Sequence, residues 1–339
     1  MATYTGFFDM LGLRDWCDSE KKPSLLSLRN LKGEELAWYE FPFPSLDNLH
    51  SACNAIPQTR DMTAGLETGF LTVRPALRTV LDPLTQPLSW ALDGALTLFT
   101  ITPWWALVPI ICFLCYRVSR SASVTVLVAV FMAFFLFTDH YTYAMQTLAI
   151  IFVCTFICVV LGVPMGILMS KSDTTQRVVT PILDMLQTLP TFVYLIPLIF
   201  LFKITEPKLY GMAIILYAIV PVVRLTNLGI RLVDQSVIEA AHAYGLDSRQ
   251  RLLGVEIPLA LPNIMAGVNQ TIMMSLAMVV IASLVSAPGL GTLVLDGINN
   301  LRLGVGFVAG FAIVLLAILL DRVSKAALDR INSAEAKLK

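Results

Sequence analysis

The chain has 339 residues, 56% of them hydrophobic, and its 24 basic and 24 acidic side chains leave no formal net charge. A mean hydropathy of +0.74 excludes an ordinary soluble domain, and the neutral balance offers nothing to attract nucleic acid. No GxxxxGK(S/T) stretch is present to cradle ATP, and the first thirty residues lack the basic-then-apolar order of a signal peptide.

Residues 1 to about 85 are polar, mildly acidic and interrupted by Pro23, Pro42, Pro44, Pro57 and Pro75. They read as a surface tail with short helices. The aromatic stretch Leu36–Pro44 is their one conspicuous feature and opens a second reading, contact with a partner protein outside the membrane. Cys17 and Cys53 lie in this tail and are able to pair if it is outside the cytoplasm. The other four cysteines, Cys112, Cys115, Cys154 and Cys158, sit in apolar runs and read as small buried hydrophobes. From Leu77 to Thr100, leucines and aromatics recur at roughly helical spacing. That pattern predicts an amphipathic helix in the membrane interface, with Trp90, Trp104 and Trp105 at headgroup depth.

Judged against the roughly 20 apolar residues that cross a bilayer, seven spans are predicted near 100–116, 123–138, 146–169, 186–202, 210–223, 264–286 and 304–320. The second and fifth are short. Arginines and lysines gather after the first, third, fifth and seventh spans, whereas the opposite loops hold only Lys203, Lys208 and Arg302. The positive-inside rule then predicts an N-terminus outside and a C-terminus in the cytoplasm. The corresponding division is a tail over 1–85, a membrane domain over 86–325 and a cytoplasmic tail over 326–339. Gly162 with Gly166, and Gly306 with Gly310, are GxxxG pairs whose default meaning is close helix packing. Pro164, Pro190, Pro197 and Pro221 predict bends, either structural kinks or parts of a path that opens and closes.

Between the fifth and sixth spans lies the longest amphiphilic interruption of the apolar half, Ser236 to Pro262. Ser236 and Glu239 have the spacing of a capping box, and Gly245 is placed to close the first short helix. Asp247 and Gln250 repeat the start signal, with Pro258 and Pro262 limiting the second helix. Ala240, Ala241 and Ala243 offer a small-residue face that another protein can approach closely. The positive-inside count puts this element in the cytoplasm, as a docking site.

The centres of the third, fourth, sixth and seventh spans lack the charged groups with which a secondary transporter binds its coupling ion. The most polar interior stretch is Asn269, Gln270, Thr271 and Ser275 in the sixth span, beside Met273, Met274 and Met278. These side chains suit a path for a bulky, weakly hydrated solute, and equally suit helix–helix glue and adaptable core. His50, His140 and His242 fall in separate regions without metal partners, and no catalytic constellation or cofactor motif appears. A path without internal energy coupling is either driven by another protein or passive. The alternatives are therefore a driven permease, a passive channel whose loop binds a regulator, and a membrane enzyme that no residue cluster supports.

Glu239-Ala240-Ala241, Gly245 and Val255-Glu256-Ile257-Pro258 resemble, in residue types and spacing, the EAA loop of ABC-importer permeases. Gln187–Leu198, Val222–Ile230 and Leu261–Gly291 are similar to the glycine betaine/proline/choline branch of that family. The resemblance covers roughly residues 85 to 325, while residues 1 to 80 match only in position and character. It implies an all-α type I permease fold in the bacterial inner membrane, with two permease copies each docked on an ABC ATPase. Glu239 would hold the loop and contact the ATPase, Ala240 and Ala241 would allow close approach, Gly245 would make the turn and Pro258 would follow it. Substrate would come from an extracytoplasmic solute-binding protein. Because the chain ends shortly after the last span, that protein is expected to be a separate polypeptide, and so is the ATPase.

Overall fold

The computed structural model describes residues 4, 8, 10–13, 17, 43–53 and 55–336. Every described element is helical. Most of the aromatic stretch Leu36–Pro44 lies outside the described residues. The chain divides into two units, residues 1–79 and 80–339, so the boundary falls slightly before the expected one.

In the first unit, helix α1 (Leu46–Ala52) begins where the Ser45 hydroxyl accepts the Asn48 N–H. Cys17 and Cys53 are joined by a disulfide, the pairing the sequence left open. Asp47 Oδ1 accepts the Thr59 N–H at 2.9 Å, tying α1 to the start of α2 (Thr59–Ile101). α2 corrects the expectation of short helices up to residue 85, because it is a single helix of 43 residues. Pro75, Pro83 and Pro87 lie inside it. Each removes one N–H donor, and the long run of ladder bonds on either side carries the helix through.

The second unit contains residues 80–101 of α2, where Leu88 and Leu92 are buried against Gly211 of a later helix. This face is covered by protein, while Trp90 on the same helix is exposed. The helices that follow are α3 (Trp104–Ser119), α4 (Ala122–Phe137), α5 (Tyr141–Lys171), α6 (Asp173–Thr188) and α7 (Leu195–Leu201). After them come α8 (Pro207–Arg231), α9 (Gln235–Ala243), α10 (Ser248–Arg251), α11 (Ile257–Ala282), α12 (Leu290–Asn299) and α13 (Leu303–Ala336).

Four segments are long and apolar enough to cross a bilayer: α5, α8, the continuous helical run Ser248–Val285, and α13. Two bent pairs raise the number to six if each is one span: α2 with α3 (113°), and α6 with Thr191–Leu201 (108°). The expected first and fourth spans fall in these pairs, and the expected second is the short apolar α4. The fifth, expected over 210–223, is a full 25-residue helix starting with Pro207 in its first turn, where a missing N–H costs nothing. Pro190, extended at ψ 134°, makes the break after α6. Pro164 and Pro221, by contrast, lie inside unbroken helices.

α8 is the central helix and is packed from both sides through glycine. A Cβ on Gly162 or Gly166 of α5 would fall 2.5 Å from Val222 Cγ1 or 2.6 Å from Thr226 Cβ. A Cβ on Gly267 of α11 would fall 3.1 Å from Val222 Cα and 3.2 Å from the Pro221 carbonyl oxygen of α8. The second GxxxG pair divides in its behaviour. Gly306 meets Gly297 of α12, whereas a Cβ on Gly310 would meet nothing within 4 Å. Lys208, at the start of α8, is 4% exposed. Its ammonium reaches Asp82 of α2 at 2.7 Å and Glu206 at 3.3 Å, and lies 5.3 Å from the centre of the Phe202 ring. A cation buried at that depth needs such partners, so Lys208 is a structural clamp rather than a loop charge.

Candidate functional site

The loop between α8 and α11 starts one cap earlier than its sequence suggests. Asp234 is the N-cap of α9, and its Oδ1 accepts both the backbone N–H and the hydroxyl of Ser236 at 2.9 Å. The expected Ser236–Glu239 box is therefore not formed. A carboxylate two residues upstream is the stronger acceptor, and the charge-assisted bonds win over a hydroxyl. The same bonds hold the Asp234 carboxyl below its ordinary 3.8, the backbone N–H of Ser236 contributing most. Glu239 is exposed and makes no hydrogen bond or ion pair among the described residues.

Gly245, at φ +76°, closes α9 in the left-handed conformation that a side chain disfavours. The Leu246 N–H then reaches back to the Ala241 carbonyl at 3.2 Å. Gln250 Oε1 accepts the Asp247 N–H at 3.1 Å, as the second start signal predicts. The prolines do not limit the second helix, which corrects the expectation. A π-turn over Leu252–Glu256 joins α10 to α11, Pro258 falls in the first turn of α11 and Pro262 lies inside it. Pro258 removes one N–H from the ladder, and the helical run continues through it. The second half of the loop is thus continuous with the membrane helix.

Of the three alanines, Ala240 and Ala243 are exposed while Ala241 is buried against the loop's own interior. Around the open face stand Val237, Leu253 and Tyr244, the last 87% exposed. An exposed face of small residues rimmed by large apolar ones is the composition of a docking surface.

Beneath this face lies a residue to which the sequence reading gave no role. Glu256, 2% exposed, accepts from Arg251 Nε at 2.9 Å and from the Lys171 ammonium at the end of α5. Arg251 also donates to the His242 ring on α9. Nearby, Arg231 donates to the Met169 carbonyl at 2.9 Å and to Asp173 at 2.7 Å, with Asn227 holding its Nε. The available signal was Glu256 as a lone acid in the apolar run Leu252–Leu261, with Lys171 ending the apolar third span.

The polar residues of the sixth span are separated by the structure. Asn269 faces α13, where its Nδ2 lies 3.5 Å from Asp321 Oδ1 and its Oδ1 accepts from the Ser324 hydroxyl. Met278 is fully buried in the main core, and Met274 packs against that core. Gln270 and Ala277 are exposed, with half-buried Met273 between them on the same stripe of α11. The stripe presents one amide and a thioether on a face that no described element covers.

Apolar helices long enough to cross a bilayer, joined in part by a capped, exposed loop, define a helical membrane protein. The profile of the binding-protein-dependent transport system inner membrane component family matches residues 158–333, and the chain belongs to that family. The chain is 37% identical over 286 residues to the glycine betaine/proline betaine transport system permease protein ProW of Escherichia coli (strain K12). That match covers 84% of this chain and 78% of ProW. It is 47% identical over 195 residues to the glycine betaine transport system permease protein OpuAB of Bacillus subtilis (strain 168), covering 56% of this chain and 68% of OpuAB. Among solved structures it is similar to the inward-facing MetNI methionine ABC transporter, with a TM-score of 0.52 at 19% identity over 57% of this chain and 95% of that one. The fold is that of an ABC importer permease.

Proposed function

We propose that this chain is the membrane-spanning permease subunit of an ATP-driven importer for betaine-like compatible solutes. The observation that carries the reading is the exposed loop Asp234–Pro258, with its unpartnered Glu239 and small-residue face, on a chain of this transport family. The relatives named as glycine betaine permease proteins supply the solute class. In this reading the N-terminus is outside and the C-terminus cytoplasmic, and the Cys17–Cys53 disulfide suits an oxidising exterior. The loop seats in a groove of a separate ABC ATPase: Glu239 meets the partner, Ala240 permits close approach, and Ala241 packs the loop from inside. Gly245 makes the turn, and Pro258 lets the loop run into α11. A second copy of the chain faces the first, and the Gln270–Met273 stripe lines the path between them. Asn269, Met274 and Met278 hold α11 to its neighbours. An extracytoplasmic binding protein delivers the solute, whose quaternary ammonium suits cation–π recognition there.

The test is uptake of labelled glycine betaine into vesicles that hold the permease, its ATPase and its binding protein. Uptake should require ATP inside the nucleotide-binding compartment. Glu239→Lys and Gly245→Pro should each abolish it while the protein still reaches the membrane. Uptake that persists without ATP would identify a passive channel, and unchanged uptake in both variants would remove the coupling role of the loop.

A further inference from the structure

The two feet of the docking loop both grip the end of one helix. At the first foot, Arg231 closes α8 and bonds the Met169 carbonyl and Asp173, on either side of the last turn of α5. At the second foot, Glu256 ends the π-turn and bonds Lys171, the last residue of α5. Glu256 also holds Arg251 of α10, and Arg251 reaches His242 of α9. One buried carboxylate therefore ties both short helices of the loop to a helix that lies 85 residues earlier in the chain. A π-turn is the kind of local widening found at functional positions in helices, and here it turns Glu256 inward while Leu253 and Gly254 face out.

We propose that Glu256 is the positioning residue that makes the docking loop and the end of α5 one rigid body, so that motion received at Glu239 reaches the membrane helices undiminished. The inference rests on the reading of the loop as the ATPase-docking element. The physical argument is one of stiffness. A buried carboxylate cannot leave its two cations without exposing an unpaired charge to a poorly solvated site, so the three groups move together or not at all. The Arg251–Glu256 pair lies within the loop and holds its shape, whereas the Lys171–Glu256 pair is the ion pair that crosses to α5 at this foot, beside apolar packing of Ile257, Ala260 and Ile264 with Val163 and Ile167.

That division selects the variant. Lys171→Gln cuts only the tie to α5, leaving Arg251–Glu256 and the Arg231 foot in place. Glu256→Gln cuts both ties. Each variant is purified with its ATPase and reconstituted, and three quantities are measured: ATPase subunits bound per permease, ATP hydrolysed, and glycine betaine taken up. Lys171→Gln should bind the ATPase as the parent does and hydrolyse ATP, while uptake per ATP falls about ten-fold, within the usual range of coupling between two sites. Glu256→Gln should lose at least as much. Parental uptake per ATP in Lys171→Gln would overturn the proposal, whatever Glu256→Gln does. Loss of ATPase binding in Lys171→Gln would also overturn it, because the pair would then be holding the loop's fold rather than transmitting its motion. If the parent chain itself binds no ATPase, the docking reading fails first and takes this inference with it.

Discussion

Replacing Gly166 by Ala is a sharp trial of the packing between α5 and α8. The added Cβ would stand 2.6 Å from Thr226 Cβ and 2.7 Å from the Val223 carbonyl oxygen. The second of these is backbone, which has no rotamer to turn aside. Ordinary contact begins near 3.4 Å, so the helix pair must open by about 0.7 Å or tilt to the same effect. Overpacking of this kind costs about 1–3 kcal/mol. Alanine returns about 1 kcal/mol of helix propensity, leaving a net loss of up to about 2 kcal/mol. Each kcal/mol lowers the unfolding midpoint by about 2–4 °C in a protein of a few hundred residues.

The control is Gly310→Ala, also in a GxxxG pair but with nothing within 4 Å of its added methyl. There only the propensity gain operates. Thermal unfolding of both variants in the same detergent, followed by tryptophan fluorescence, should place Gly166→Ala below the parent and Gly310→Ala at or above it. A Gly166→Ala midpoint equal to that of Gly310→Ala would refute the claim that glycine sets the α5–α8 distance.

Lys208→Met should destabilise the second unit by about 1–3 kcal/mol, the range for losing a hydrogen bond to a charged group, because Asp82 and Glu206, both partly exposed, lose their shared cation. Adding Asp82→Asn should restore part of that loss, and an unfolding titration of single and double variants would reveal a lack of recovery. The Asp234 cap adds a pH dependence whose sign follows from its depressed carboxyl. Its contribution to α9 is fully present above the ordinary 3.8 and is lost as pH falls through the lower folded value. Protection of the Ser236 amide, taken against its intrinsic exchange rate at each pH, should fall across that window in the parent, while in Asp234→Ala it should be low on both sides of it.

The parts that were legible in the sequence rest on local or strongly periodic signals. Gly245 was readable because a helix that must stop needs a left-handed residue, and glycine takes that conformation at least cost. The long spans were readable because twenty apolar residues have few other uses. The start of α9 was not, because Asp234 and Ser236 are both good caps two residues apart and only the folded geometry ranks them. The beginning of α2 at Thr59 was hidden by prolines that read as punctuation, although a long helix absorbs single missing donors. Glu256 was hidden for a different reason. A buried acid is defined by its partner, and Lys171 is 85 residues away, beyond any spacing rule.

Continuity between loop and span changes what the docking element is able to do. Had Pro258 ended a separate short helix, a push on α9 and α10 would be spent in a flexible joint before reaching the membrane. Instead the run from Ser248 to Val285 is one helical body, braced where it meets the end of α5. Met273 is 16 residues beyond Ile257, about 24 Å of helix at 1.5 Å each. A tilt of about 10° at the brace then moves the Gln270–Met273 stripe sideways by about 4 Å. In the proposed importer a displacement of that size is enough to change which side chains face the path.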